Sequence, residues 1–416
     1  MMGEDEKRIK AGIIVIGNEI LEGRVLDTNS LYISRRISEI GISPFRIAIV
    51  GDKKEMIEEE IKNQLVTCQI VFTCGGLGAT PDDLTREALS RAFRRQLLLD
   101  EATLKKIEKD YKGKNQPVPE EATKQALYLQ GSLLLENSVG ISPGMIIQEG
   151  EKVVIALPGP VEEMKKIFET GVLPFLETTF PTKPILSVLI RTTGITEAEI
   201  MERLAHPKKK FKSCPIQYLP SLLGVDIRIS TEKDEALLAE WKKEIVNRLA
   251  PYVYGIGNVA LEDKVGELLR KRKFTIAVAE SCTGGLLANR ITNTIGSSDY
   301  FLGGVVAYSN EIKKKALGVK EETLKRFGAV SEKTASEMAK GVRERFNAGI
   351  GIAITGIAGP TGGTPEKPVG LVYIGLAMVN KVISREFYFS GDRRMIKEQA
   401  AQSALDLIRR CLEGYD

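Results

Sequence analysis

Histidine is almost absent from this chain of 416 residues; the single copy is His206. A site needing two imidazoles from one chain is therefore excluded, and a Ser-His-Asp triad could draw only on His206. That residue stands before Pro207 in a lysine-rich segment, which predicts a solvated loop or helix end. Cysteine is scarce as well. The five thiols, at positions 68, 74, 214, 282 and 411, are odd in number, scattered, and form no C-x-x-C pair. This argues against a disulfide scaffold or a zinc-thiolate site and for a reduced, cytoplasmic setting. No stretch reaches the roughly 18 uninterrupted apolar residues of a membrane span. The start, Met-Met-Gly-Glu-Asp-Glu-Lys, leads into an apolar run too short for the core of a signal peptide. No excess of one charge sign exists either. With 59 basic against 55 acidic side chains, a net +4 gives no ground to expect a nucleic-acid-binding protein, despite short basic runs at 207–212 and 270–273.

The length exceeds one hydrophobic core, so two or three domains are expected. Block one, residues 10–175, alternates short apolar runs with amphipathic patterns, as in an α/β domain with a mainly parallel sheet. Gly12–Ile16, Phe45–Val50 and Gln69–Thr73 read as buried strands, with helices at Asn29–Ile40 and Lys54–Leu65 between them. Val153–Leu157 is a further strand, a helix begins near Val161, and the Pro-rich stretch Pro174–Pro184 marks a boundary. Residues 185–255 read as a small α+β unit: strand Ile185–Thr192, helix Thr196–Leu204, a hairpin across Ile216–Ile229, and helix Asp234–Ala250 with the only tryptophan, Trp241. The third block, 260–416, is again α/β, with strands at Thr275–Ala279, Gly304–Ala307, Ala348–Ile354 and Val369–Ala377 and a helix over Met395–Leu412.

In the third block an apolar strand runs into Ala279-Glu-Ser-Cys-Thr-Gly-Gly285 and then into a helix from Leu286. Ser281 sits at this corner, where free N–H groups and the positive helix end could hold an oxyanion or phosphate. Gly284 and Gly285 would let a ligand approach the main chain. The plainer alternative is that Ser281 or Thr283 caps the helix. A second element, Gly304–Lys313, ends a strand in Tyr308-Ser309-Asn310 and opens a helix near Glu311. Amide cleavage needs a nucleophile, a base and oxyanion donors. Without an available histidine, Lys313 is the candidate base if burial lowers its pKa, with Tyr308 relaying or orienting the proton. Alternatively, Lys313-Lys314-Lys315 is a solvated helix face. Between Ala353 and Gly370 a long Gly/Pro/Thr loop joins two strands, either a flexible surface connection or a ligand edge at Thr355 and Gly356.

In the first block, Gly17–Asn29 follows the first strand and Cys74–Thr85 the third. Both lie at strand C-terminal ends, the usual ligand edge. Gly75, Gly76 and Gly78 would permit a backbone anion cradle, and Asp82 and Asp83 offer oxygens for a hard divalent cation. A glycine turn followed by helix capping is the alternative.

A-E-S-C-T-G-G at 279–285, A-Y-S-N-E-I-K at 307–313 and T-G-I-A-G-P-T-G-G-T-P-E-K-P-V-G at 355–370 resemble the CinA C-terminal domain, the nicotinamide mononucleotide (NMN) amidase family. Ile312 and Thr361 depart from the family's usual alanine and glycine. The segments at 17–29 and 74–85, with Leu157–Met164, resemble the MoaB/MogA-like fold at the N-terminus of full-length CinA proteins, Ala79 replacing the usual proline. The middle block resembles their KH-like linker but lacks the G-x-x-G loop that clamps nucleic acid. The resemblance spans essentially the whole chain and implies three domains, 1–175, 176–257 and 258–416. The fold it implies is two three-layer α/β domains with mainly parallel sheets, joined by a small α+β KH-like domain.

For the C-terminal domain it implies hydrolysis of NMN to nicotinate mononucleotide and ammonia, without a cofactor. Ser281 is then the nucleophile, Lys313 the base and Tyr308 an assisting group. Thr283, Gly284, Gly285, Asn310, Thr355 and Gly356 become substrate contacts. For the N-terminal domain it implies metal-dependent cleavage of ADP-ribose, with Glu19, Asp27, Asp82 and Asp83 toward a divalent metal of unspecified identity, and Asn29, Gly75, Gly76 and Gly78 toward substrate. A homodimer acting on small nucleotides, with no membrane or nucleic-acid partner, completes the expectation. Cys282 is the rival nucleophile beside Ser281. Two other readings compete: a catalytically silent competence or DNA-repair accessory, and a molybdopterin-binding protein with a fused hydrolase.

Overall fold

The computed structural model describes residues 8–232 and 234–416. The chain divides into two compact units, split between Leu186 and Ser187. Among the described residues no helix is long and apolar enough to cross a membrane.

The first unit carries β1 (Lys10–Ile16), β2 (Ser43–Val50), β3 (Ile70–Cys74), β4 (Leu97–Leu99), β5 (Leu127–Leu129), β6 (Leu133–Leu135), β7 (Gly144–Glu149) and β8 (Lys152–Leu157). Six of them form one sheet in the order β2-β1-β3-β8-β7-β6. The ladders β2-β1, β1-β3 and β3-β8 are parallel, and β8-β7 and β7-β6 are antiparallel. Successive side chains of β1 feed opposite layers, as the two-residue strand period requires. Ile13 and Val15 pack with Ile33, Ile37 and Phe168 on one face, while Ile14 and Ile16 pack with Ile57, Ile61 and Leu89 on the other. A strand covered on both faces is written as a continuous β-branched run, which is why Ile13-Ile14-Val15-Ile16 is so uniform.

Two expectations change here. The run 45–50 is a strand but is not buried: Phe45, Ile47 and Ile49 are 51%, 47% and 40% exposed. It lies at the sheet edge, and periodicity cannot distinguish an edge strand from a central one. The helix from Val161 also runs past the expected division at 175, through a π-helical turn at Phe168–Val172, and ends at Thr179, inside the expected boundary stretch Pro174–Pro184. Pro174 occupies the first turn of the last segment, where its missing N–H costs little. Strands β4 to β7 went unrecognised because most are only three residues long.

In the second unit β9 (Leu186–Thr192), β10 (Ile216–Ser221), β11 (Gly224–Thr231) and β12 (Val253–Ile256) form a four-stranded sheet in the order β10-β11-β9-β12. Its helices are Glu197–Lys208 and Glu235–Arg248, and Trp241 stacks on Phe211 at 4.4 Å between ring centroids. His206 is exposed in the last turn of the first helix. The larger sheet has the order β14-β13-β15-β16-β17, from β13 (Ile276–Glu280), β14 (Phe301–Val306), β15 (Ile350–Gly356), β16 (Leu371–Ala377) and β17 (Val382–Tyr388). The three strands β14, β13 and β15 run parallel, and β16 and β17 return antiparallel. One face packs large aliphatic side chains against helices Leu261–Arg272, Leu286–Asn293 and Arg393–Glu413.

The other face is nearly bare, with Ala277, Ala279, Ala353 and Ala377 under helix Glu332–Arg345. Glycine lets that helix come close: a Cβ on Gly351 would lie 2.1 Å from the Ala339 carbonyl oxygen, and one on Gly375 2.4 Å from that of Ala335. The C-terminal helix also fastens the smaller sheet. Buried Arg409 donates to the Pro251 and Val253 carbonyls, and Gln402 to Thr193 Oγ1 and the Leu223 carbonyl. Gly375→Val is expected to lower the unfolding free energy by about 3 kcal/mol, measured by urea denaturation, because the helix must be pushed off the sheet. A loss below about 1 kcal/mol would contradict such close packing.

Candidate active site

Strands β13, β14 and β15 end side by side and are laced there by main-chain bonds. Ala307 N donates to the Glu280 carbonyl at 2.7 Å, and Ser281 N to that of Ile354 at 3.0 Å. Tyr308, Ser281 and Thr355 are thereby carried to one edge. Ser309 then caps helix Asn310–Leu317, accepting the Ile312 N–H at 3.2 Å. Lys313 lies one turn into this helix. Helical side chains lean toward the N-terminus, so its stem points back at the strand ends.

The result is a direct contact: Lys313 Nζ lies 3.0 Å from Ser281 Oγ. The amine also reaches the Ala307 carbonyl at 2.8 Å and that of Tyr308 at 3.5 Å. Lys313 is 1% exposed, and burial lowers its pKa below the ordinary lysine value. A neutral amine suits this nest. Its two N–H bonds can face the carbonyls and its lone pair the serine O–H. The expected lysine triplet is thus split: Lys314 and Lys315 pair with Glu311 at 3.2 and 3.0 Å, while Lys313 turns inward.

Ser281 and Lys313 line a cleft of about 260 Å³ with Cys282, Tyr308, Asn310, Thr355, Gly356 and Arg393. Both neighbouring nucleophile candidates, Ser281 and Cys282, therefore contribute to its wall. The thiol is pushed up to about 11 by burial, which leaves little thiolate near neutrality. Arg393, from the first turn of the C-terminal helix, donates to the Tyr308 hydroxyl at 2.8 Å and the Gly359 carbonyl at 2.6 Å. Its guanidinium leaves the phenol proton free to be donated elsewhere.

The helix end after Ser281 is not the open anion cradle expected. Buried Glu280 takes the N–H groups of Gly285, Leu287 and Ala288 at 2.9, 3.1 and 2.8 Å. Neither Ser281 nor Thr283 caps this helix; Glu280 does. Thr283, Gly284 and Gly285 are absent from the cleft wall. Gly284 and Gly285 are explained by φ values of 65° and 100°, which side-chain-bearing residues adopt at a cost. The long loop after β15 is anchored, not loose. Thr355 Oγ1 donates to the Ala329 carbonyl at 2.7 Å, and Lys367 Nζ to those of Phe327 and Val330, each at 2.6 Å.

The first unit holds a second cleft, about 490 Å³, at the C-terminal ends of β1, β3 and β8. Glu19, Asp27, Asn29, Gly75, Gly76, Gly78, Asp82 and Asp83 all line it, joined by Asp52 and Glu163. Six carboxylates therefore face it, and among the described residues no lysine, arginine or histidine does. Asp27 spends its oxygens on the N–H groups of Asn29 and Ser30 and on the Ser30 hydroxyl. Asp83 takes the Thr80 N–H and hydroxyl at 2.8 and 2.6 Å. Asn29 gives its NH₂ to Cys74 Sγ and the Gly159 carbonyl, leaving Oδ1 buried without a donor. Among the described residues no three carboxylates, cysteines or histidines converge as a ready metal site. The carboxylates fit a cation by charge, but are not arranged as a preformed cage.

Sequence reading missed Glu280 and Arg393. The first stands inside the quoted motif, where an acid ahead of a helix start is a recognisable capping signal. Arg393 lies far along the chain from Ser281 and gave none.

The class this defines is a multidomain α/β protein with a Ser–Lys pair at the C-terminal edge of its last sheet. Family models match in chain order: "Probable molybdopterin binding domain" over 12–178, "Damage-inducible protein CinA KH domain" over 187–255 and "CinA C-terminal domain" over 258–412. A CinA-like protein of Kosmotoga olearia is 42% identical, over 97% of this chain and 99% of its own. A protein of Caldicellulosiruptor saccharolyticus with a competence-damage inducible name is 44% identical, over 97% and 100%. A solved structure, competence/damage inducible protein CihA of Agrobacterium tumefaciens, is 38% identical over 37% of this chain and 97% of its own, with a TM-score of 0.35. The chain belongs to the CinA family.

Glu280→Ala strips the acceptor from three amides, those of buried Leu287 and half-buried Gly285 and Ala288. It is expected to cost about 3 kcal/mol of stability, read from denaturant melts. An unchanged midpoint would show that the carboxylate does not hold this turn.

Proposed function

We propose that the C-terminal domain hydrolyses the carboxamide of NMN to nicotinate mononucleotide and ammonia. The observation that carries this reading is the 3.0 Å contact between a buried amine and a serine hydroxyl. Lys313 makes no ion pair with a carboxylate among the described residues, and an unpaired buried charge costs several kcal/mol. The neutral base is therefore favoured. Ser281 Oγ attacks the carboxamide carbon as its proton passes to Lys313. The oxyanion is stabilised by the Tyr308 hydroxyl, polarised by Arg393. Collapse breaks the C–N bond, Lys313 returns the proton to the leaving nitrogen, and ammonia departs. Water then attacks the Ser281 ester, giving its proton to Lys313, and the carboxylate product leaves as Ser281 regains a proton. Arg393 brings a positive charge to the cleft wall, which among the described residues has no acidic side chain, and this suits a substrate bearing a phosphate.

Ser281→Ala and Lys313→Ala should each reduce ammonia release from NMN by about 10³-fold or more, whereas Cys282→Ala should stay within about threefold of the parent. Loss of activity in Cys282→Ala with retention in Ser281→Ala would overturn the assignment. The pH profile follows from the lowered lysine pKa. The amine is a base only when neutral, so kcat/KM rises with pH and levels off above the Lys313 midpoint. That limb should fall below the ordinary lysine value of about 10.4. An ascending limb centred at or above it would contradict the mechanism.

One observation favours a second activity, metal-dependent cleavage of ADP-ribose in the first unit. Six carboxylates and no basic side chain line that cleft, so a pyrophosphate is repelled unless a cation accompanies it. Glu19 would take the cation most readily, since Asp27, Asp82 and Asp83 are engaged in local bonds. A bound divalent ion supplies charge neutralisation at the phosphate oxygens. A homodimer in a reduced cytoplasm belongs to the same reading. Chelator should abolish ADP-ribose cleavage and leave ammonia release unchanged, and a divalent cation alone should raise the melting temperature. Cleavage that survives chelation, or a melt indifferent to cations, would count against it.

A further inference from the structure

The function of Lys367 is not absorbed by the dyad or by the substrate's charge. It stands in the exposed loop between β15 and β16, yet it is half-buried where its neighbours Thr361–Glu366 are exposed. Its ammonium makes no ion pair with a carboxylate among the described residues. Instead Nζ lies 2.6 Å from the Phe327 carbonyl and 2.6 Å from that of Val330. Phe327 ends helix Glu321–Phe327, so the cation sits at the negative end of that helix. Gly328, between the two acceptors, has φ 79°, and a Cβ there would stand 3.1 Å from Nζ. The same strip of chain, Ala329 and Val330, lines the Ser281 cleft, as do Ile357, Ala358, Gly359, Thr361 and Gly362 of the loop.

We propose that Lys367 is a positioning residue for the amidase cleft: it clamps the 357–370 loop to the turn 327–330 and so sets the width of the opening above Ser281. The clamp has a second arm in Arg393, which donates to the Gly359 carbonyl of the same loop. Lys367 does not touch Ser281 or Lys313, and the dyad is built on separate strand ends. Its loss therefore leaves the chemistry in place and loosens the site that receives substrate.

This inference rests on the amidase reading, and the experiment separates the two. Ammonia release from NMN is measured on the full chain for the parent, Lys367→Ala, Lys367→Met and Lys367→Arg. Expected for the alanine and methionine variants is a KM raised about tenfold with kcat within about threefold. Arginine, which can also donate to two carbonyls, should restore most of the KM. Limited proteolysis should cut the 357–370 segment faster in Lys367→Ala than in the parent, and this readout does not depend on activity. A parent without ammonia release overturns the amidase reading, and proteolysis then judges the clamp alone. An active parent whose alanine and methionine variants match it in KM and in cleavage rate overturns the clamp. So does a fall in kcat with KM unchanged.

Discussion

The site depends on one unfavourable placement: an amine buried with two carbonyls and a hydroxyl, and among the described residues no carboxylate to pair with. Water would hold such a group charged. Burial removes that solvation and so lowers the pKa of the amine below the ordinary lysine value. Everything around Lys313 serves to keep it there. The lacing of β13 to β14 and β15 fixes the strand ends, Ser309 starts the helix at the right residue, and helical geometry aims the stem. On the amidase reading proposed above, this lysine is the base of a fold almost without histidine.

The two clefts are electrostatic opposites. Among the described residues, one presents the Arg393 guanidinium with no acid, and the other six carboxylates with no basic side chain. Both sit at the C-terminal edges of parallel strands, where the fold gathers loops. Fold alone does not decide what either takes, but charge does much of that work. A phosphate can enter the first unaided and needs a cation in the second. Between the sheets of the second unit, Arg409 and Gln402 bind the small domain to the helix whose first turn supplies Arg393. That domain is thus built into the support of the last helix, whatever else it does.

Much of this was legible in the residues. The β-branched runs located the central strands, and the Ser281 and Lys313 motifs proved to be neighbours across 32 positions. What failed was local. Phe45–Val50 looked buried because an apolar run carries no mark of an edge strand. The glycines at 284 and 285 looked like ligand space, but they serve a left-handed turn. The helix end seemed open because the acid at 280, a recognisable capping signal ahead of a helix start, was passed over in favour of the serine. Arg393 and Lys367 were invisible for another reason. Their partners are main-chain carbonyls and a distant phenol, and nothing in a sequence records which carbonyl a cation will meet.

The central claim concerns the protonation of one side chain, so it is best tested on that side chain. With ¹³Cε-labelled lysine, the Lys313 resonance can be assigned by its loss in Lys313→Arg and followed by NMR across pH. This account predicts a midpoint clearly below the ordinary lysine value of about 10.4. A midpoint at or above that value would mean a charged ammonium beside Ser281, and the proposed base would not exist.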